Sequence, residues 1–332
     1  MFLQRSYKSR TTLSNPGTSY SITGKNQQGV AIITALLIVT IATTVSITIS
    51  TRLQLDVRRT SNMIAQDQAG FYLVAAEAWS QRILRQDKED STIDDLSEDW
   101  AVELPPLPVA GGSIQGKLTD LHRCININSL LEKGSVNATT ENRLTQLFKN
   151  IGLDRYSTQA IADWIDSDLE TSNPNGAEDG YYLNLEKPYR PANTTLQSIS
   201  EIRLIKGFED SKDYQQVKDH LCAFVSNDKL SINVNTASAE VLKSLSADMT
   251  DSLAKGIIEQ REEKPFNDLE EFASFVKLDT ITKTTKKLST SSDYFLLRTQ
   301  AIIGQANKTM YSIIYRDDSG KTEIISRVYR TL

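Results

Sequence analysis

The chain has 332 residues, of which 39% are hydrophobic and 24% charged, and its net charge of −5 excludes a general basic footprint for nucleic acid. That length leaves room for one or two folded domains beyond any membrane segment. With 2 cysteines and 2 histidines, neither a disulfide framework nor a Cys/His spacing of the zinc type is present.

Residues 1–29 carry Arg5, Lys8, Arg10 and Lys25 and no acid, which favours keeping that end in the cytoplasm. The 20 residues from Val30 to Ile49 contain no charge, no Gly and no Pro; 14 are apolar, 5 are Thr and 1 is Ser. A helix of that length measures roughly 30 Å and crosses a bilayer. A secretory apolar core is shorter, about 7–15 residues, and ends in a small-residue cleavage site. Here the small residue, Gly29, stands before the apolar run. On hydropathy alone the segment is a plain N-terminal membrane anchor.

Residues 51–86 hold no Pro and one Gly, Gly70. Leu53, Val57, Ile64, Phe71 and Ala75 recur at helical spacing along one face. The pattern predicts one continuous helix from Val30 to Gln86, its first half in lipid and its second half half-buried. "ELPPLPVAGG" (Glu103–Gly112) then breaks it, because prolines remove donors and glycines favour turns. "SIQGKLTDLHRCI" (Ser113–Ile125) alternates as a strand does. Three more strands are predicted at the C-terminal end, Tyr294–Ile303, Thr309–Arg316 and Thr322–Thr331, joined by the hairpin chemistry of "GQAN" and "DDSG". The economical topology is α+β: an antiparallel sheet on the upper half of the long helix, with an α-domain inserted into it.

The middle carries an internal repeat. "ININ" (Ile125–Asn128) introduces one helical block and "INVN" (Ile232–Asn235) another, which continues "TASAEVLKSL" with Thr236 or Asn235 as helix cap and Val241, Leu242 and Leu245 on the apolar face. "INVNTA" also resembles the opening of helix-hairpin-helix modules that grip DNA backbones. Such hairpins need a Gly-apolar-Gly turn, and "SADMTDSLAKGI" has none in that place. Charge agrees: residues 229–288 hold 9 Lys/Arg against 10 Asp/Glu, and 126–170 hold 4 against 7. The fold of those modules fits, and their DNA function does not.

Between Asp163 and Asn184, Asp163, Asp166, Asp168, Glu170, Glu178 and Asp179 flank a loop rich in Asn, Pro and Gly. Two readings stay open at this level: a solvated acidic loop with an Asp helix cap, or a site for Ca²⁺, which takes six to eight oxygen ligands from flexible loops. It is no EF-hand, since counting from Asp166 the sixth position is Thr171 and the twelfth Ala177. A paired-carboxylate hydrolase is a further reading, without partner residues to support it. Cys124 and Cys222 can pair if the body lies outside the cytoplasm and their Cα atoms come close enough, which sequence does not decide.

In combination these segments resemble the protein K family of the type II secretion system (the general secretion pathway), the large minor pseudopilins. The resemblance rests on "QQG" followed by "VAIITALLIV", similar to a prepilin peptidase site, and on "ADWIDSD…NGAEDGYY", "SISEIRLIKGF" (Ser198–Phe208), "INVNTASAEVL", "KPFNDLEEF" (Lys264–Phe272) and "SSDYFLL" (Ser291–Leu297), in that order along most of residues 30–332. It implies a prepilin leader over 1–29, cleavage by the prepilin peptidase between Gly29 and Val30, and methylation of the new Val30 amine. It implies a pilin helix over 30–86 (30–50 transmembrane), a pilin-like sheet from 103–125 and 289–332, and two SAM-like, helix-hairpin-helix-like subdomains inserted at 126–222 and 228–288. The head then lies in the periplasm on a single-pass inner-membrane anchor. No enzymatic activity and no nucleic-acid partner are expected. The partners are the minor pseudopilins I and J and other pseudopilins, in a complex that caps a short pseudopilus for export across the outer membrane. Calcium is the implied cofactor, with Asp166, Asp168, Glu178 and Asp179 as carboxylate ligands.

Thr34 departs from the general pilin pattern, which has Glu at the fifth mature position to pair with the amine of the subunit above. A tip subunit has none above it, and an unpaired carboxylate is costly in lipid, so an uncharged residue suits that place. The leader is long for the family, and Val30 is a less usual first mature residue than Phe or Met. The alternative is a membrane-anchored, competence-type DNA-binding protein built on the same helical modules.

Overall fold

The architecture is that of a computed structural model, which describes residues 28–103, 105–153, 156–226, 231–284 and 287–330. Residues 1–27 of the expected leader lie outside the described residues.

Helix α1 (Gln28–Asp90) runs slightly beyond the expected Gln86. The chain divides after Ser61 into two units. Among the described residues the first unit is helix alone, exposed from Gly29 to Ser61, and α1 is long and apolar enough to cross a membrane. Its hydroxyls turn back onto the helix. Thr34 Oγ1 donates to the carbonyls of Val30 and Ala31 (3.0 Å each), and Thr44 and Thr48 donate to those of Thr40 and Thr44 (2.8 Å each). Each hydroxyl is thereby satisfied within the helix, which is the condition for carrying it in hydrocarbon.

In the second unit α1 buries Ala69, Leu73, Glu77, Ser80 and Leu84, steps of three and four along one face. This corrects the sequence expectation: the more apolar set, Ile64, Phe71 and Ala75, faces outward, with Phe71 78% exposed. Beyond α1 the prolines 105, 106 and 108 keep the chain extended into β1 (Leu107–Val109). A tight turn leads to β2 (Gly112–Asp120), where a Cβ on Gly112 would fall 1.8 Å from the Ile302 carbonyl oxygen. β2 ends at Asp120, short of the expected Ile125, because the chain leaves the sheet there for the insertion.

The insertion is two blocks, each closed at its base by a short parallel strand pair. The first runs from β3 (Ile125–Asn126) through the small hairpin β4 (Leu131–Glu132) and β5 (Ser135–Val136). It continues with α2 (Ala138–Asn150), α3 (Thr158–Ile165), α4 (Asp179–Tyr182) and α5 (Ser211–Val217), and ends in β6 (Leu221–Cys222), which pairs with β3. The second runs from β7 (Ile232–Asn233) through α6 (Ala239–Lys243), α7 (Asp251–Glu263), α8 (Leu269–Val276) and α9 (Asp279–Thr284). It ends in β8 (Leu288–Ser289), which pairs with β7.

The repeated Asn residues explain why both blocks begin alike. Asn126 and Asn233 each accept from the backbone N–H two residues on (3.2 and 2.9 Å). Asn128 then grips both backbone groups of Leu196 (2.8 and 2.9 Å), and Asn235 grips both of Phe266 (2.9 and 3.0 Å). Two residues past each gripped position sits a helix cap, Ser198 and Asp268. Neither Thr236 nor Asn235 caps α6. Ser238 does, while Thr236 Oγ1 donates to the buried Asp120. Apolar side chains of both blocks, among them Leu144, Phe148, Ile202, Val241 and Phe272, form one continuous core.

The chain returns through β9 (Tyr294–Ile303), β10 (Ala306–Arg316) and β11 (Thr322–Arg330). These complete an antiparallel five-stranded sheet in the order β1-β2-β9-β10-β11. One face covers α1: Ala69 and Leu73 pack on Ala301, Ile303 and Met310, and Leu84 packs with Trp100, Leu118, Phe295 and Ile314. Each fully buried Leu or Phe there contributes about 1.5–3 kcal/mol. Polar contacts fix the register of the helix on the sheet. Glu77 accepts from Arg327 Nε at 3.0 Å, and Arg316, 1% exposed, bonds Asp87 (2.7 Å), Asp94 (2.7 Å) and the Leu84 carbonyl (3.0 Å).

Candidate functional site

Three carboxylates of the first block converge. Asp163 lies inside α3, Asp166 ends that helix, and Glu178 precedes α4; one oxygen of each lies within 4.8 Å of the others. Asp163 is held by the Ser172 N–H (3.1 Å). Glu178 makes no capping hydrogen bond, both of its oxygens are buried without a partner, and so is Asp166 Oδ1. Burial, reinforced by the neighbouring carboxylates, raises Glu178 to about 7 and Asp166 to about 6. A buried acceptor without a donor is a deficit that a hard cation removes. Hence the residues present could hold a metal ion.

Of the four acids expected as ligands, the structure brings Asp166 and Glu178 together. Asp168 lies outside the group, its Oδ1 accepting from the Glu170 N–H (2.8 Å). Asp179 lies 3.7 Å from Arg190 Nη1. The third carboxylate is Asp163, which the sequence places in the acidic cluster but not among the four expected ligands. Asp163 sits within a helical apolar pattern, where it reads as helix. Asn193, at φ 46°, donates to the Asp168 carbonyl (3.1 Å) and leaves a buried, unpartnered Oδ1. Gly176 makes the loop passable, since a Cβ there would fall 2.1 Å from Asp163 Oδ2 and 2.5 Å from the Ser172 carbonyl.

A second acidic group, Asp87, Asp94 and Glu98, already contains a cation, the Arg316 guanidinium. Cys124 and Cys222 stand beside the β3–β6 pair with Cα atoms 5.8 Å apart and their sulfurs joined. Gly29, Val30 and Thr34 are all exposed on the first turns of α1. The other exposed apolar surface of note is on α1 itself: Leu53 and Val57 in the first unit, and Ile64, Phe71 and Val74 in the second.

Family models described as "Type II secretion system (T2SS), protein K" match residues 123–226 and 232–291, which are the two inserted blocks. The chain is 31% identical over 324 residues to type II secretion system protein K of Aeromonas hydrophila, covering 92% of this chain and 97% of that one. It is 31% identical to the protein of the same name from Pectobacterium carotovorum, covering 91% and 96%. A chain in the crystal structure of the GspK-GspI-GspJ complex from the enterotoxigenic Escherichia coli type 2 secretion system superposes with a TM-score of 0.72 at 24% identity, covering 82% of this chain and 100% of that one.

Proposed function

The chain belongs to the type II secretion system protein K family of minor pseudopilins, structural rather than enzymatic proteins, and from that premise we propose that it starts and caps the secretion pseudopilus. The observation that carries this reading is the outward stripe on α1. A helix that leaves Ile64 and Phe71 in water while burying Ala69 and Ser80 has kept its most apolar face for something other than its own sheet. The helix of a neighbouring pseudopilin supplies that cover, and the Escherichia coli complex with GspI and GspJ makes the I and J proteins of the same system the partners. The inserted blocks, which we read as SAM-like, add bulk at the head that stops further growth.

On the same reading the prepilin peptidase cuts between Gly29 and Val30 and the Val30 amine is methylated. The helix then holds the head on the periplasmic side of the inner membrane until assembly. Thr34 suits a subunit with no neighbour above it. Ca²⁺ is held by Asp163, Asp166 and Glu178, with Asn193 Oδ1 and water completing the shell, and a disulfide joins Cys124 to Cys222. Mass spectrometry of the protein from a peptidase-competent host tests the assignment: a chain beginning at methylated Val30 is expected, and an intact Met1 would overturn it. Co-purification with the system's I and J proteins is expected as well. Tight, salt-sensitive DNA binding would favour the competence-type alternative instead.

A further inference from the structure

Arg143 is a buried cation with no anion beside it among the described residues. It projects from α2 with 8% of its surface exposed, and its Nη2 donates to the Lys287 carbonyl (3.0 Å). Among the described residues no carboxylate pairs with it. Glu132 accepts from Asn137 Nδ2 (3.0 Å) and Glu141 lies 3.4 Å from Thr158 Oγ1. Burial alone lowers the guanidinium to about 10, so it remains charged at neutral pH. An uncompensated charge at such a site is costly, and the usual remedies are a paired side chain or a bound counter-ion.

The fold leaves space for the second remedy. Arg143 lines a cavity of about 20 Å³ between the two inserted blocks, with Asn126, Ser129 and Thr140 from the first and Ser231 and Ile232 from the second. Roughly 10–15 Å³ by this measure admits one water, so the cavity has room for one monatomic guest. Lys287 Nζ donates to Thr139 Oγ1 (2.6 Å) and Asn137 Oδ1 (3.3 Å) on the first turn of α2, whose N-terminus adds its own partial positive charge. Ser129 Oγ donates to the Asn126 carbonyl (2.6 Å) and touches Thr140 Oγ1 (3.2 Å), so the hydroxyls on this wall are already ordered.

We propose that this cavity binds a single halide ion, chloride under cellular conditions, with Arg143 as its charged ligand and the two inserted blocks clasped around it. Binding to the folded state alone makes stability depend on chloride. The test uses the full chain in detergent, unfolded by heat while chloride replaces gluconate, an anion too large for the cavity, at fixed ionic strength. Tm is expected to rise about 2–5 °C for each tenfold increase in chloride above half-saturation. Arg143→Met should remove the dependence; a Tm indifferent to chloride, or an equal response in Arg143→Met, overturns the proposal. Should that variant fail to fold, bromide-soaked crystals of the unaltered full chain decide. An anomalous peak against the guanidinium is expected, and a cavity holding only water overturns it.

Discussion

Glu178 and Asp179 are adjacent acids with opposite environments, and that difference separates a ligand from a bystander. Both oxygens of Glu178 are buried and unpartnered, whereas Asp179 stands beside Arg190 at 3.7 Å. Glu178→Gln should therefore lower calcium affinity at least about tenfold by calorimetry, while Asp179→Asn changes it less than about threefold. Equal losses from the two would restore the ligand set suggested by sequence. The acidic loop was legible as a cluster because six acids crowd 17 residues, 163–179. Which of them converge was not legible, because convergence depends on where α3 ends and how the loop turns back past Gly176. Asn193 was invisible for another reason: an amide 15 residues past Glu178 becomes informative only when its oxygen proves to be buried.

The elements themselves followed largely from local pattern. The three C-terminal strands, their hairpins and the break after α1 were set by alternation, Gly and Pro, which act over a few residues. The face of α1 was not. Hydrophobicity ranks Phe71 and Ile64 as core, yet the sheet takes Ala69 and Ser80, which allow close approach, Leu73, which fills the core between them, and Glu77, which meets Arg327. A helix that must bury two faces, one against its own sheet and one elsewhere, gives a sequence moment pointing to whichever face is greasier. The Asn repeat was visible as a repeat, but its purpose required tertiary partners. Each second Asn stands in for a strand neighbour, satisfying both backbone groups of Leu196 or Phe266. Asn128→Ala and Asn235→Ala should each cost about 1–3 kcal/mol in urea unfolding, because each leaves a buried donor and acceptor unmet. A loss under about 0.5 kcal/mol for either would show that water replaces the amide.

At the scale of the whole molecule, assembly and stability can be separated. Phe71→Glu removes an exposed side chain, so heat or urea should find the isolated chain unchanged within about 0.5 kcal/mol. Co-purification with the I and J proteins should be lost; retained binding would put the partner on another face. Calcium and pH act together on the head. Without the ion, folding raises Glu178 from 4.5 to about 7 and Asp166 from 3.8 to about 6. Between about pH 4 and pH 7 the native state then keeps protons that the unfolded chain has released. Stability of the calcium-free protein should fall as pH rises through that window, because the native state binds more protons there. Calcium requires the ionised carboxylates, so protons compete with it, and its stabilising effect should grow as pH rises from about 5 to 7. Two melting series against pH, one with chelator and one with calcium, should therefore lie close together near pH 5 and separate widely at pH 7.5. Parallel curves, or a calcium-free protein most stable at pH 7.5, would mean that these three carboxylates do not hold the ion.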